Sequence, residues 1–367
     1  MTCSRYCRSV RALLLVAIVG CSPSKHAPPP PATHATDVHV DRRVELVSIV
    51  ERLAGGKEYT QATGPYADAA DRWFKPFASH PAVVDAARLR AGAGISYDAP
   101  MTLAIHLDDQ LRVQHGDELP TIDARWKGVD VDAFAADLRR FAVEAKLDDF
   151  LATQASTSTP IADSLRAAID REDPVTWFDA MFGPAKARFL VVPARLTGPW
   201  NYGPRATLPD GTLELVQVLG VHGPGGTLPI DDDLIYLLVH EMAHSYVNPV
   251  FAKHHDQLAS AGATLYPRVE RQMRQQAYAD WVTMLNESAV RATVVLYLRD
   301  RKGDAASATA VQREQRNGFL WTADLVEVLR TFQHDPAHHA DLDGYMPAIV
   351  AFFDRLAAQP AGDRRAN

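Results

Sequence analysis

Residues 231–250 read Asp231-Asp232-Asp233-Leu234-Ile235-Tyr236-Leu237-Leu238-Val239-His240-Glu241-Met242-Ala243-His244-Ser245-Tyr246-Val247-Asn248-Pro249-Val250 and contain a complete H-E-x-x-H. The acidic run 231–233 offers a helix N-cap and suits the positive end of a helix dipole. Pro249 marks a stop just beyond the last turn, so the stretch predicts a helix of about four turns. At about 100° per residue, His240 and His244 fall on one stripe with Glu241 beside them. Ile235, Leu238, Val239, Met242 and Tyr246 form an apolar back. Two imidazoles therefore project from a helix buried along its other face, as a rigid metal site needs. Glu241 is offset enough to act as a general base on water instead of ligating the ion. A five-residue match also arises by chance in a chain with 14 histidines, so the reading turns on a third ligand.

Residues 283–298 read as a second helix. Glu287 shares a face with Asp280, Thr283, Met284 and Arg291, while Val282, Leu285, Ala289, Ala292 and Leu296 point away. Placed on an otherwise apolar helix downstream of the H-E-x-x-H, Glu287 reads as the oxygen ligand of a His2Glu site for Zn2+. Asp280 could orient a ligand by accepting a histidine N–H. Arg291 could do so by holding a carboxylate, or could form an ion pair on the helix surface.

His240-Glu241-Met242-Ala243-His244 followed by Asn286-Glu287-Ser288-Ala289 resembles the gluzincin pattern of zinc metallopeptidases. That resemblance implies a zincin-like unit with metal ligands His240, His244 and Glu287 and Glu241 as catalytic base. It also implies a tyrosine or histidine beside the metal to stabilise the transition state, for which Tyr202, His222, His254 and Tyr345 are candidates. A larger part of the chain resembles an uncharacterised bacterial family carrying a domain of unknown function. The residues that carry this are 43–55, His80-Pro81-Ala82-Val83, Gly94-Ile95-Ser96-Tyr97-Asp98 and 244–249, and the likeness covers most of residues 38–356.

At 367 residues and 47% hydrophobic, the chain can bury a large core as one domain or two intimately packed lobes. The net charge is −7; without a basic stripe, nothing indicates a nucleic-acid partner. Arg5, Arg8 and Arg11 precede an apolar run that ends Ile18-Val19-Gly20-Cys21, a lipobox-like signal peptide over residues 1–20. By resemblance to bacterial lipoproteins, cleavage before Cys21 and lipidation of its sulfur would anchor the protein in the membrane of the cell envelope. A plain secretory signal or an uncleaved anchor is the other reading. With Cys3 and Cys7 removed in the leader, Cys21 is the single cysteine left, which excludes intramolecular disulfides. Residues 21–37, with prolines at 28–31, form a stiff tether.

Residues 38–154 read as an N-terminal helical lobe shaping one wall of a cleft. Helical spacing runs over 44–53, 69–77 and 131–150, with breaks at 92–94 and 116–118. Residues 155–358 form the zincin-like catalytic region, and 359–367 a disordered tail. Within that region two β-like runs, 187–196 and 212–221, flank an Asp210-Gly211 turn signal and predict a small antiparallel sheet beside the metal helix. By resemblance, its edge would pair with an extended peptide substrate. A long helix is expected over 267–299, then a polar break over 301–308, then helices over 319–332 and 345–356. His254 and His255 read as exposed loop histidines. His334, His338 and His339 form a polar loop with the composition of a weak second metal site.

The fold class expected is therefore α+β, mainly helical, with a small sheet next to the H-E-x-x-H helix. The function expected is zinc-dependent peptide hydrolysis at the bacterial envelope, with peptide or protein substrates. The alternative is a non-catalytic zinc-binding lipoprotein acting as a scaffold; peptidoglycan cross-peptides are a further substrate class.

Overall fold

Two of the four strands form the centre of the sheet. In the order β1-β2-β4-β3, these are β1 (Asp37–Val38), β2 (Ala187–Ala194), β3 (Arg205–Thr207) and β4 (Leu213–Gly220). β2 and β4 pair in parallel from Ala187↔Leu213 to Ala194↔Gly220, which corrects the antiparallel pairing expected of these runs. The reason is the connection between them. The Asp210-Gly211 turn is a hairpin turn, with Gly211 at φ 82° and Asp210 accepting the Thr212 N–H, but it joins β4 to the three-residue edge strand β3. The chain leaving β2 passes to the far edge before turning back, so β4 runs the same way as β2. The sheet is mixed. Pro193, which has no N–H to donate, falls past the two residues where β1 pairs with β2.

The structure is a computed structural model describing residues 36–184, 187–334 and 341–360. The leader, Cys21, nearly all of the tether, His338, His339 and residues 361–367 lie outside the described residues. Helices α1 (Arg42–Leu53), α2 (Lys57–Thr60), α3 (Pro65–Phe74), α4 (Pro81–Ala93), α5 (Ala99–Ile105), α6 (Leu119–Ile122), α7 (Val131–Glu144), α8 (Leu147–Glu172) and α9 (Pro174–Phe182) precede β2. After β4 come α10 (Asp232–Lys253), α11 (His255–Gln275), α12 (Trp281–Lys302), α13 (Asp304–Arg316), α14 (Thr322–His334) and α15 (Leu342–Ala358).

Both faces of the sheet are covered, as a parallel pair requires. Phe189, Val191 and Leu219 pack with α10–α15, whereas Leu190, Val192, Val216 and Val218 pack with α1–α7. Strand periodicity of two thus assigns alternate residues to the two cores. The two cores meet along α8, which runs unbroken through residue 154: Leu147 and Phe150 pack with the N-terminal helices, and Ala162, Leu165 and Ile169 with the other core.

Several helix ends differ from the expectation. The stretch 131–150 is broken where Lys146 takes a left-handed φ of 54°. The stretch 267–299 is two helices, parted at 276–280. The polar break at 301–308 shrinks to Gly303, whose φ of 86° ends α12, and α13 starts directly after it. Pro249 does not stop the H-E-x-x-H helix. It lies inside α10, which continues to Lys253. A helical proline forfeits one bond to the carbonyl four residues back; here that carbonyl belongs to Ser245.

Candidate metal centre

α10 begins where Asp231 accepts the Leu234 N–H, as the acidic run suggested. Its apolar back, Ile235, Leu238, Val239, Met242 and Tyr246, is buried without exception. Tyr246 is also fixed at its tip, donating to Asp179 at 2.8 Å. α12 packs against α10 and is buried on every side from Glu287 to Leu298. It is a central helix, not the one-sided amphipathic helix that its polar stripe suggested.

This packing brings His240, His244 and Glu287 together. The Nε2 atoms of the histidines are 3.2 Å apart. Glu287 straddles them, with Oε2 3.6 Å from His240 Nε2 and Oε1 3.3 Å from His244 Nε2. A tetrahedral cation with bonds of about 2.0–2.2 Å spaces its ligands about 3.3–3.6 Å apart, so the cluster has the dimensions of one face of such a site. His244 Nδ1 lies 3.3 Å from Asn248 Oδ1. A proton on that nitrogen leaves the Nε2 lone pair aimed at the cluster. His240 Nδ1 is buried with no partner among the described residues.

The charges fit the same description. Burial lowers His240 to about 4. Burial also disfavours charge on His244 and Glu287, but their mutual hydrogen bond and charges outweigh it, raising His244 and holding Glu287 down at about 2. The three groups together hold a negative carboxylate beside imidazoles that share the demand for positive charge, and a divalent ion would meet it.

Glu241 is half-buried, and burial raises its carboxyl above the ordinary range. It opens onto a cleft of about 720 Å³ that is also lined by His244, Gln217 and residues 203–205. A Cβ at position 203 would lie 3.7 Å from Glu241 Oε2, in ordinary contact, which places the backbone at Gly203 beside the carboxylate. None of the lining residues comes from 38–154. The expectation that the N-terminal lobe walls this cleft is corrected: it packs on the opposite face of the sheet.

Of the supporting residues named from sequence, Arg291 belongs to the site. It is buried, not on the helix surface, and its Nε donates to Glu287 Oε2 at 3.1 Å. Asp280 does not belong: it is exposed and caps α12 by accepting the Thr283 N–H at 2.8 Å. Tyr202 does not either. Its backbone pairs with Val218, which turns its ring into the N-terminal core, on the opposite sheet face from Gln217 and the cleft. His222 is exposed and bonds to the Gly220 carbonyl, His254 bonds to Asp343 at 2.6 Å, and Tyr345 donates to the Val328 carbonyl.

Four residues of the network were not read from sequence: Asn248, Tyr278, Tyr236 and Glu314. Asn248 was legible in principle, standing four residues after His244 on the same stripe. Tyr278 accepts from Arg291 Nη2 at 3.0 Å, from a segment whose helical reading had hidden the loop that carries it.

No curated protein and no solved structure matches the chain. Residues 36–352, by contrast, match the family described as Domain of unknown function (DUF4932), and with most of its length covered the chain belongs to that family.

Proposed function

We propose that the protein is a zinc-dependent peptidase of gluzincin type, held at the bacterial cell envelope by lipid on Cys21. The observation that carries this is the convergence of His240, His244 and Glu287 at ligand spacing, with a carboxylate that does not ligate, Glu241, turned to an open cleft. Three protein ligands leave a position free, which is the catalytic and not the structural arrangement. Zinc held there supplies Lewis acidity, drawing the pKa of water toward about 7 and polarising a substrate carbonyl.

The chain's own residues do the rest. Glu241, raised by burial, takes the proton of the attacking water and passes it to the leaving amine. The edge strand orients an extended substrate. Tyr202 and Pro204 turn their hydrogen-bonding groups inward to Val218 and Val216. In an antiparallel ladder the alternate residues, Gly203 and Arg205, then face outward and can pair with a peptide beside Glu241.

The test is Glu241→Gln. Zinc should stay bound at one ion per chain, while hydrolysis of a peptide library falls by at least about a thousandfold. Unchanged hydrolysis removes Glu241 from the chemistry. A wild-type protein that holds zinc and cleaves nothing is a binding module instead. Purified sacculi set against denatured protein separate cross-peptides from ordinary chains as substrates.

A further inference from the structure

We infer that Glu314 is the buried counter-charge that lets Arg291 hold Glu287 in place without cancelling the negative charge Glu287 offers to a cation. The inference rests on the metal site proposed above and assigns a positioning residue on α13, an element with no part in the ligand set.

An arginine beside a metal ligand creates a conflict. Its donors fix the carboxylate, but its full positive charge repels a dication a few ångströms away, and in a dry site that repulsion is weakly screened. Arg291 sits in such a place. Nε reaches Glu287, and its guanidinium carbon lies 4.5 Å from the centre of the Phe319 ring, sheltered from water.

Glu314 resolves the conflict. It is fully buried, and its Oε2 accepts from Arg291 Nη1 at 2.5 Å. Its other oxygen accepts from the Tyr236 hydroxyl at 2.9 Å. The Tyr236 ring stacks on His240 with centroids 6.2 Å apart, so one carboxylate touches the supports of two ligands. Arg313, the second cation on Glu314, lies nearer the surface and has Asp233 as a further partner at 3.3 Å. Glu287, Arg291 and Glu314 together keep one net negative charge facing the ion.

A role in stability alone accounts for this poorly. A buried ion pair is often replaceable by apolar residues without loss, and the inward face of α13 is otherwise Ser307 and Ala310.

The experiment measures zinc affinity by chelator competition, with apo-protein melting alongside, in the wild type, Glu314→Gln and the pair Arg291→Gln with Glu314→Gln. Glu314→Gln should bind zinc about 10–100-fold more weakly, the range of supporting partners of metal ligands. The pair, which restores the net charge, should recover to within about tenfold of wild type. A pair as weak as Glu314→Gln or weaker overturns the inference. So does a pair that does not fold, which assigns both residues to stability. If Glu314→Gln alone does not fold, the pair decides: within about tenfold of wild type supports the inference, and weaker than that overturns it. Wild type binding zinc while Glu314→Gln binds equally well sinks this inference and spares the metal site; a wild type that binds no zinc sinks both.

Discussion

His240 and His244 present Nε2 to Nε2 at 3.2 Å, a separation at which a proton or a cation can bridge the two nitrogens. Proton and metal therefore compete for one place, which gives binding a defined pH dependence. Glu287, at about 2, is ionised and His240, at about 4, is neutral above those values, whereas His244 is raised. A raised pKa means that His244 is protonated from its elevated value downward, so metal affinity is full above that value and declines as pH falls through it. The expected slope is about one decade of affinity per pH unit down to about pH 4, and steeper below. Competition titrations across pH 4–8 check this; a two-decade slope near pH 6 would mean both imidazoles titrate together.

Replacing Glu287 by glutamine keeps its shape and one acceptor oxygen, which can still meet Arg291, but removes the charge. Metal affinity is expected to drop by at least about a hundredfold, with Arg291 left paired to Glu314 and the apo fold within about 1 kcal/mol of wild type. Metal analysis after dialysis and denaturant melts read the two effects separately.

Tyr202→Phe separates the two faces of the sheet. The Tyr202 hydroxyl is buried in the N-terminal core with no partner among the described residues, so its loss is expected to leave hydrolysis within about twofold and stability equal or slightly higher. A large fall in kcat with KM unchanged would return Tyr202 to the reaction.

Gly262→Ala tests the packing that seats α12. A Cβ there would meet the Trp281 ring at 2.3 Å and Leu285 at 3.2 Å. The expected cost is about 1–3 kcal/mol, seen as a lower denaturation midpoint with an unchanged slope.

The candidate ligand set was legible because it obeys local rules. His240 and His244 are one turn apart, and Glu287 is an acid set in an apolar helix. The apolar back of α10 followed from the same periodicity. What stayed hidden depended on partners remote in sequence. Glu314 lies among Arg313, Gln315 and Arg316, and such a polar run reads as a solvated surface until Ser307, Ala310 and Glu314 are seen to share its inward face. The parallel pairing of β2 and β4 was hidden by β3, three residues too few to show any alternation. Pro249 misled because its local cost to the helix is outweighed by packing on either side of it, with Val247 and Phe251 both buried.

Glu287, the seventh residue of α12, opens the stretch 287–298 that is buried without a break. The amide hydrogen of Glu287 should then exchange with solvent only through opening of the whole molecule, and not through fraying. A carboxylate carried on so enclosed a stretch of backbone is expected to keep its place whether or not a cation is bound beside it.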